Sequence, residues 1–311
     1  MTSAVMTRAL SEYEDWPSGP VHLCIGEFDG VHLGHQAALA ELRRGADADG
    51  GTALAMTFDP IPVEYFEPEV RSALTGLDER IRLLLAAGAG AVTVMRFDDD
   101  FSHQLPDEFV GHIVDACDLR RIIVGPDFRF GYERQGDVRS LVDIGARRGF
   151  AVDVVETVQL DQRIVSASLI RNALLAGDVG DAARLLGRPF TIAGRAAVRR
   201  RSHGDGHPAL EIDLPVDRLL PRDGVYAVWA ASSAGRRLPA LAELRLWTTP
   251  GGPSERHLEV RALEGELPPH GSTVEITFAR HLRDDMRFAS LYDHSTRTAR
   301  DISDARAALG A

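Results

Sequence analysis

The feature that most constrains the fold is an apolar strand that runs through a glycine-rich turn into an amphipathic helix. Residues 21–25 form the apolar run, three glycines follow at four-residue intervals, and residues 36–44 show helical periodicity. Glycines at such a turn let the backbone approach a ligand closely. A helix start adds unpaired N–H groups and a partial positive charge. This stretch is therefore a candidate anion site.

Two histidines flank the last of the three glycines. His32 and His35 lie three residues apart around Gly34, so both imidazoles can face one ligand at the start of the helix. A phosphate chain bound there would meet backbone donors and two rings. The alternative is a glycine turn with two exposed histidines, because short motifs also occur without function.

Length and composition indicate a globular protein of one large or two ordinary domains. The 311 residues are 44% hydrophobic and 26% charged. A net charge of -11 argues against broad nucleic-acid binding. No apolar run of 18 residues and no signal-peptide pattern occurs, which predicts no membrane association. Cys24 and Cys117 lie in apolar surroundings, so we expect free thiols and a cytoplasmic location.

Strands alternate with helices through the first half of the chain, after a leader over residues 1–20. The helix that follows the glycine-rich turn is predicted to end near Gly45, and the next helix carries Arg80 and Arg82 on its polar side. The predicted strands cover 21–25, 52–58, 91–95, 121–125 and 151–155, and the helices cover 36–44, 77–87, 106–117 and 141–148. This alternation predicts a parallel sheet with helices on both faces. The loops after residues 25, 58 and 124 should then converge on one site at the carboxyl ends of the strands.

The loop over residues 125–131 is chemically rich. It offers two aromatic rings beside Asp127 and Arg129. The aromatics could line the pocket of a flat ring, while Arg129 could meet a phosphate. The alternative is a loop with two core phenylalanines and a surface ion pair.

A second candidate segment covers residues 165–177. Ser166 or Ser168 can cap a helix whose first turn holds Arg171. Arg171 would then lie beside an N-terminal anion site and suit a polyphosphate. The alternative is serine capping with an arginine that faces solvent.

The pattern changes to short alternating strands after residue 190. Turn signals separate predicted strands over 190–198, 210–214, 224–230, 258–263 and 273–278, and a terminal helix is predicted within 284–298. This pattern is typical of a small antiparallel barrel.

In their order, these segments resemble the prokaryotic bifunctional riboflavin kinase/FMN adenylyltransferase (FAD synthetase) family. The matching stretches are Gly-Glu-Phe-Asp-Gly-Val-His-Leu-Gly-His-Gln over 26–36, Thr-Phe-Asp-Pro over 57–60, and residues 124–131, 165–171 and 178–189. The resemblance implies an α/β protein in two domains. Residues 1–186 would form a Rossmann-like nucleotidyltransferase domain with a parallel sheet, and residues 187–311 a small antiparallel β-barrel of riboflavin-kinase type.

The resemblance also implies adenylyl transfer, in which the FMN phosphate attacks the α-phosphate of ATP and pyrophosphate leaves. His32, His35 and Arg171 would be catalytic, holding the ATP phosphates. The wider ATP site would comprise Gly26, Phe28, Asp29, Gly34, Ser166 and Ser168. The flavin side would comprise Phe58, Asp127, Phe128 and Arg129. The family often has Ile-Ser-Ser-Thr before its arginine, and Ala167 here lacks one of those hydroxyls.

The implied ligands are small molecules. FMN would be the substrate and FAD the product. Mg²⁺ would enter with ATP and take no direct ligand from the protein. Neither nucleic acid nor membrane is an implied partner, and an oligomer is compatible with the sequence.

The second half departs from the family at the kinase motif. The family has Gly-Phe-Pro-Thr-Ala-Asn, whose threonine and asparagine ligand the metal and ATP, whereas residues 206–211 read Gly-His-Pro-Ala-Leu-Glu. The family's Asn-Ile-Gly-x-x-Pro-Thr reads Glu-Leu-Arg-Leu-Trp-Thr-Thr over 243–249. Glu259 stays at the general-base position, either as a kinase remnant or as a plain strand residue. A base cannot replace the positioning of metal and phosphate, so we expect the kinase activity to be lost.

Three functional hypotheses follow. The first is an FMN adenylyltransferase with a degenerate kinase domain. The second is an adenylyltransferase for a modified flavin or another phosphorylated metabolite, and the third is a non-catalytic flavin- or nucleotide-binding protein. The two histidines favour the enzymes, because a binding protein need not hold two imidazoles at an α-phosphate. The arginine run at 199–201 is interpreted as a solvated face or a phosphate contact.

Overall fold

A computed structural model describes residues 5–8, 16–68, 72–197, 209–215, 218–232, 237–248, 254–286 and 291–311. The contacts divide the chain into two compact units, 1–167 and 168–311. The arginine run at 199–201 and the first part of the altered kinase motif, 206–208, lie outside the described residues.

The first unit alternates strands with helices along the chain. Its helices are α1 (Leu33–Asp49), α2 (Pro62–Phe66), α3 (Leu77–Ala86), α4 (Asp99–Ser102), α5 (Pro106–Ala116) and α6 (Val138–Arg148). Its main strands are β1 (Val5–Arg8), β2 (Pro20–Ile25), β3 (Thr52–Asp59), β4 (Ala91–Arg96), β5 (Asp118–Val124) and β8 (Ala151–Val154). Two short hairpins add β6 (Arg129–Phe130), β7 (Gly136–Asp137), β9 (Gln159–Leu160) and β10 (Arg163–Ile164).

The six main strands form one parallel sheet in the order β1-β4-β3-β2-β5-β8. Alternate residues of the central strand β2 face opposite sides. Leu23 and Ile25 join a core with α5 and α6, whereas Cys24 joins a core with α1 and α3. The predicted parallel sheet with helices on both faces is confirmed.

Two predictions about this unit are wrong. Helix α1 does not end near Gly45 but continues to Asp49, with Gly50 in a left-handed conformation after it. A side chain at Gly45 would lie 2.8 Å from the ring of the buried His22, so this glycine allows close packing inside the helix. The predicted leader also contains strand β1, which pairs with β4 at the sheet edge.

In its described residues, the second unit is a closed six-stranded antiparallel barrel with three helices. The helices are α7 (Ala167–Leu175), α8 (Val179–Leu186) and α9 (Leu291–Leu309). The strands are β11 (Thr191–Ala197), β12 (Leu210–Asp213), β13 (Gly224–Ser232), β14 (Arg237–Thr248), β15 (Ser254–Ala262) and β16 (Thr273–Asp284), in the barrel order β11-β12-β15-β14-β13-β16. The predicted barrel is confirmed, although β14 was not predicted.

The terminal helix begins later than predicted, because residues up to Asp284 belong to β16. Helix α9 packs on the barrel through the fully buried Asp301. Its carboxylate accepts a 2.7 Å hydrogen bond from Arg283 of β16 and pairs with Arg297 at 3.3 Å. Helix α8 also packs against β16, so the contacts separate the units after Ala167 and not after residue 186.

Both cysteines are free thiols, as predicted. Cys24 is buried and Cys117 is half-buried, and burial raises the pKa of each thiol to about 12. Among the described residues, no helix combines the length and apolarity needed to cross a membrane.

Candidate functional site

The candidate site lies where the strand order of the parallel sheet reverses. Strands β3 and β4 continue from β2 towards one edge, while β5 and β8 lie on its other side. The loops after β2, β3 and β5 therefore leave neighbouring strands at the same edge, as predicted. Ligands of open α/β sheets bind at such a reversal. We call residues 26–35, which follow β2, the corner.

The backbone of the corner adopts left-handed conformations at three positions. Phe28 has φ 52°, Gly30 has φ 78° and Val31 has φ 39°. Glycine accepts this conformation readily, whereas a bulky or β-branched residue there costs about 1–3 kcal/mol. Such strain is concentrated at functional sites and persists only where surrounding contacts enforce it.

Asp29 supplies those contacts. Its buried Oδ1 accepts hydrogen bonds from the backbone N–H groups of Leu74 (2.8 Å) and Thr75 (3.0 Å), and the Thr75 hydroxyl lies 3.3 Å away. The N–H of Gly30 in turn donates to Thr75 Oγ1 at 3.0 Å. The carboxylate of Asp29, a predicted ATP-site residue, thus binds the segment before α3 and stabilises the corner.

The two histidines form a stacked pair. The ring centroids of His32 and His35 are 3.6 Å apart at 20°, and Phe28 meets His35 edge-on at 5.2 Å. His32 is 7% exposed, so the alternative of two exposed histidines is wrong. Desolvation, with a smaller contribution from His32, holds the pKa of His35 well below its ordinary value. His35 is therefore a neutral imidazole at pH 7.

Two corner glycines make room for these rings. A side chain on Gly26 would lie 3.3 Å from the Phe28 ring, and one on Gly34 would lie 3.1 Å from the His32 ring. Helix α1 begins directly after His32, whose side chain forms no capping hydrogen bond to the first turn. The corner therefore combines a helix N-terminus with two imidazoles, which suits a phosphate chain.

Arg80 is a buried residue of the site that the sequence did not reveal. Its place on the predicted polar side of α3 suggested an exposed side chain, but it is 2% exposed. Nη2 donates to the carbonyl oxygen of Phe58 at 2.8 Å, and Nη1 donates to that of Glu27 at 3.4 Å. The Thr57 hydroxyl also donates to the Glu27 carbonyl, at 3.0 Å. These contacts join the corner to the end of β3.

The loop after β5 only partly matches its predicted role. Phe128 and Phe130 stack at 5.3 Å, with Phe130 buried and Phe128 half-buried against the core. The exposed Arg129 pairs with Asp137 at 3.5 Å. Buried phenylalanine and a surface ion pair are the features of the alternative interpretation. Asp127 is exposed, so it and the free edge of Phe128 stay accessible to a ligand.

An aromatic cluster follows the ends of β3 and β4. Phe66 is 65% exposed and contacts Tyr65 at 5.1 Å and Phe97 at 5.8 Å, and Phe97 contacts Phe101 at 5.3 Å. The predicted flavin-side residue Phe58 is buried beneath them. We call Tyr65, Phe66, Phe97 and Phe101 the aromatic cluster. Sequence reasoning missed it, although each of these residues follows a predicted strand.

The serine and arginine segment divides between the two units. The backbone oxygen of Val165 lies 3.7 Å from where a Gly34 side chain would start, so the half-buried Ser166 is near the corner. Ser168 and Arg171 belong to the second unit, in the first turns of α7. Ser168 is exposed and Arg171 is half-buried.

In the barrel, Glu259 lies in a row of three glutamates. It is directly opposite Glu211 of β12 and Glu243 of β14. Glu211 binds His257 Nδ1, Glu243 pairs with Arg245, and Glu259 lies 3.6 Å from the buried Arg261. We call this set the carboxylate row. Like charges directly opposite each other are unfavourable, and side chains of β14 and β15 lie beside all three carboxylates.

Comparisons with known proteins agree with both units. Residues 17–169 match the FAD synthetase family and residues 186–309 the riboflavin kinase family. A bifunctional riboflavin kinase/FMN adenylyltransferase from Pseudomonas fluorescens is 37% identical over 91% of each chain. The chain belongs to this bifunctional FAD synthetase family. The Escherichia coli K12 member is 31% identical over 98% of each chain, and the Haemophilus influenzae member is 33% identical over 92% of this chain and 93% of that one.

A solved structure shares the whole architecture of this family member. It is described as a macrolide-efflux protein from Streptococcus pneumoniae, with a TM-score of 0.86, 25% identity, and coverage of 97% of this chain and 99% of that one. Full-length agreement with one solved chain supports the order of sheet and barrel found here.

Proposed function

We propose that this FAD synthetase family member transfers the adenylyl group of ATP to FMN, and that its barrel no longer phosphorylates riboflavin. An FMN phosphate oxygen forms a bond to the α-phosphorus of ATP, and the bond to the β-phosphate oxygen breaks, which yields FAD and pyrophosphate. The observation that carries this proposal is the stacked histidine pair on a helix start at the sheet reversal.

The chemistry requires alignment of two anions and compensation of developing charge, without a protein nucleophile. His32 and His35 would contact the phosphates, Ser166 and the α1 start would add donors, and Arg171 with Ser168 would bind the triphosphate tail. Burial of the corner strengthens each such contact, because water screens it less.

Mg²⁺ would arrive on the ATP phosphates. Hard cations prefer carboxylate, phosphate and water oxygens. The carboxylate of Asp29 is committed to backbone N–H groups, and within the described ranges no cluster of metal-ligating side chains was found. We therefore propose that ATP phosphates and water hold the ion.

The flavin ring would lie against the aromatic cluster. Phe66 exposes most of its surface at the same edge of the sheet as the corner, and exposed aromatic faces suit stacking of a flat ring. Asp127 and Phe128 would approach the ring from the loop after β5. Arg129 would leave Asp137 to reach a phosphate.

Loss of kinase activity is supported by the carboxylate row. Glu211 stands where the family has its metal-binding asparagine, and its carboxylate already binds His257. Glu259 faces Glu211 and Glu243 across the strands, beside Arg261. Phosphoryl transfer depends on a positioned metal ion and γ-phosphate. Carboxylates that already bind neighbouring side chains of the barrel are poorly suited to hold that metal ion.

One assay separates the two activities. The purified chain is incubated with Mg²⁺-ATP and either FMN or riboflavin, and the flavins are resolved by chromatography with the Pseudomonas fluorescens relative as positive control. We expect FAD from FMN and no FMN from riboflavin. FMN formed from riboflavin would show that the kinase proposal is wrong. Absence of FAD, with pyrophosphate released only when another phosphorylated acceptor is added, would transfer the proposal to that acceptor.

A further inference from the structure

Arg80 is a charged side chain that has no role in the proposed reaction as described above. Burial disfavours its charged form and lowers its pKa, but a guanidinium in a protein stays protonated. In the described part of the chain Arg80 forms no ion pair, and its Nε is buried without a hydrogen bond. Glu27, Asp29, Asp59 and Glu64 compensate the charge only from a greater distance. A buried charge held by carbonyl groups alone is unfavourable for folding, which points to a role in function.

The two carbonyl groups that Arg80 binds determine which way two peptide groups face. The peptide bonds after Glu27 and Phe58 are trans, so each N–H points opposite to its C=O. With both oxygens drawn to the guanidinium, the N–H groups of Phe28 and Asp59 are directed away from Arg80. Phe28 is the left-handed residue whose ring contacts His35.

The forked guanidinium group is suited to holding two carbonyl groups at once. Its two Nη atoms reach the carbonyl of Glu27, in the corner that follows β2, and the carbonyl of Phe58, near the end of the neighbouring strand β3. A single amide or ammonium nitrogen cannot reproduce two separated donors in one plane. Arg80 thus ties the phosphate-binding corner to the strand end below the aromatic cluster.

We propose that Arg80 is a positioning residue for adenylyl transfer, which fixes the Glu27 and Phe58 carbonyls and thereby the corner that holds the histidine pair. This inference rests on the proposed function. Displacement of a site by about 1 Å costs on the order of 100-fold in rate. Arg80 acts through the backbone and touches no substrate.

The test compares three variants in steady-state FAD formation. Arg80→Gln should lower kcat/KM about 100-fold for both ATP and FMN, because the corner and the flavin side lose one common support. Arg80→Lys should recover about tenfold of that loss, since it keeps the charge but lacks the fork. Arg82→Gln is the matched control, because Arg82 is exposed on the same helix, and it should stay within about twofold of wild type.

Thermal unfolding of each variant separates positioning from folding. A kcat/KM deficit at a temperature where circular dichroism shows a folded chain supports the proposal, and wild-type kinetics in a folded Arg80→Gln variant overturn it. If Arg80→Gln does not fold, Arg80→Lys decides on the same two criteria. If the wild-type chain forms no FAD, the proposed function fails. Equilibrium dialysis of labelled ATP then still decides this inference, because only the Arg80 variants should bind ATP more weakly.

Discussion

The corner and the barrel use charged side chains in opposite ways. In the corner, Asp29 and Arg80 bind backbone groups, which holds three left-handed residues in place and leaves two imidazoles at a helix start. In the barrel, each glutamate of the carboxylate row contacts a histidine or arginine side chain of its own or a neighbouring strand. The first arrangement leaves two imidazoles for the ligand that we propose, whereas the second pairs its polar side chains with one another.

The proposed loss of kinase activity would mean that a fold can persist after its site chemistry changes. The barrel closes around buried side chains such as Tyr226 and Phe278, whose rings meet edge-on at 5.2 Å. Those contacts do not involve the altered motif, so substitutions at 209 and 211 leave the core intact. A matching fold is therefore weaker evidence for riboflavin phosphorylation than the site residues are.

The largest expected effect is at the histidine pair. His35→Ala should lower FAD formation by about 100-fold or more, the typical loss when one preorganised group at a developing charge is removed. The chain should stay folded, because the half-buried ring can be lost without an unpaired charge. Chromatography of flavins measures the rate, and thermal unfolding checks the fold.

The exposed His112 of α5 is the matched control for this variant. His112→Ala should retain the wild-type rate. Near-normal turnover of His35→Ala would remove that histidine from the mechanism. The corner would then lack the catalytic role that distinguishes it from the barrel in our proposal.

A smaller effect is expected from pH. Because the folded-state pKa of His35 lies well below 6.5, the unfolded chain takes up a proton there before the folded chain does. This contribution leaves stability constant above pH 6.5 and lowers it as pH falls from 6.5 towards the folded-state pKa. A single proton limits the slope to about tenfold in the unfolding equilibrium per pH unit.

The measurement compares the unfolding midpoints of wild type and His35→Gln between about pH 7.5 and about pH 5.5, a range around the ordinary histidine pKa. The difference between the two curves reports the proton taken up by His35. The wild type should lose more stability than the variant across that interval. Parallel curves would mean that His35 titrates normally.

The smallest effect is expected at Glu259, which we propose is a remnant of the kinase site. Glu259→Gln should leave FAD formation from FMN within about twofold of wild type, since surface and half-buried substitutions away from a site change little. Riboflavin phosphorylation should be absent both before and after the change. A loss of FAD formation in this variant would tie the barrel to adenylyl transfer and end the comparison.

The sequence predicted the parts of the fold that follow from periodicity. Apolar runs followed by helical patterns predicted five of the six parallel strands, and β1 was missed because its four residues are too short to show alternation. Strand β14 was missed because Pro239 interrupts the run of residues that would indicate a strand. The predicted end of α1 was wrong because Gly45 does not end the helix but makes room for the His22 ring.

The motifs of the candidate site could be predicted from the sequence, but the residues that hold its backbone in place could not. His32, Gly34 and His35 are adjacent in sequence, so their meeting required no long-range information. Arg80 and Thr75 reach the corner only through the folded sheet, and a helical pattern assigns any arginine to the polar side. The left-handed conformations of Phe28 and Val31 could not be predicted either, because their side chains disfavour them.

The tie between Asp29 and Leu74 spans 45 residues, which has a consequence for biosynthesis. When both histidines have just left the ribosome, the nascent chain cannot yet hold them in place, because the donors for Asp29 have not emerged. Closing so long a loop is also among the slower kinds of contact to form. The histidine pair should mature only once synthesis has passed α3, well after its own residues have left the exit tunnel.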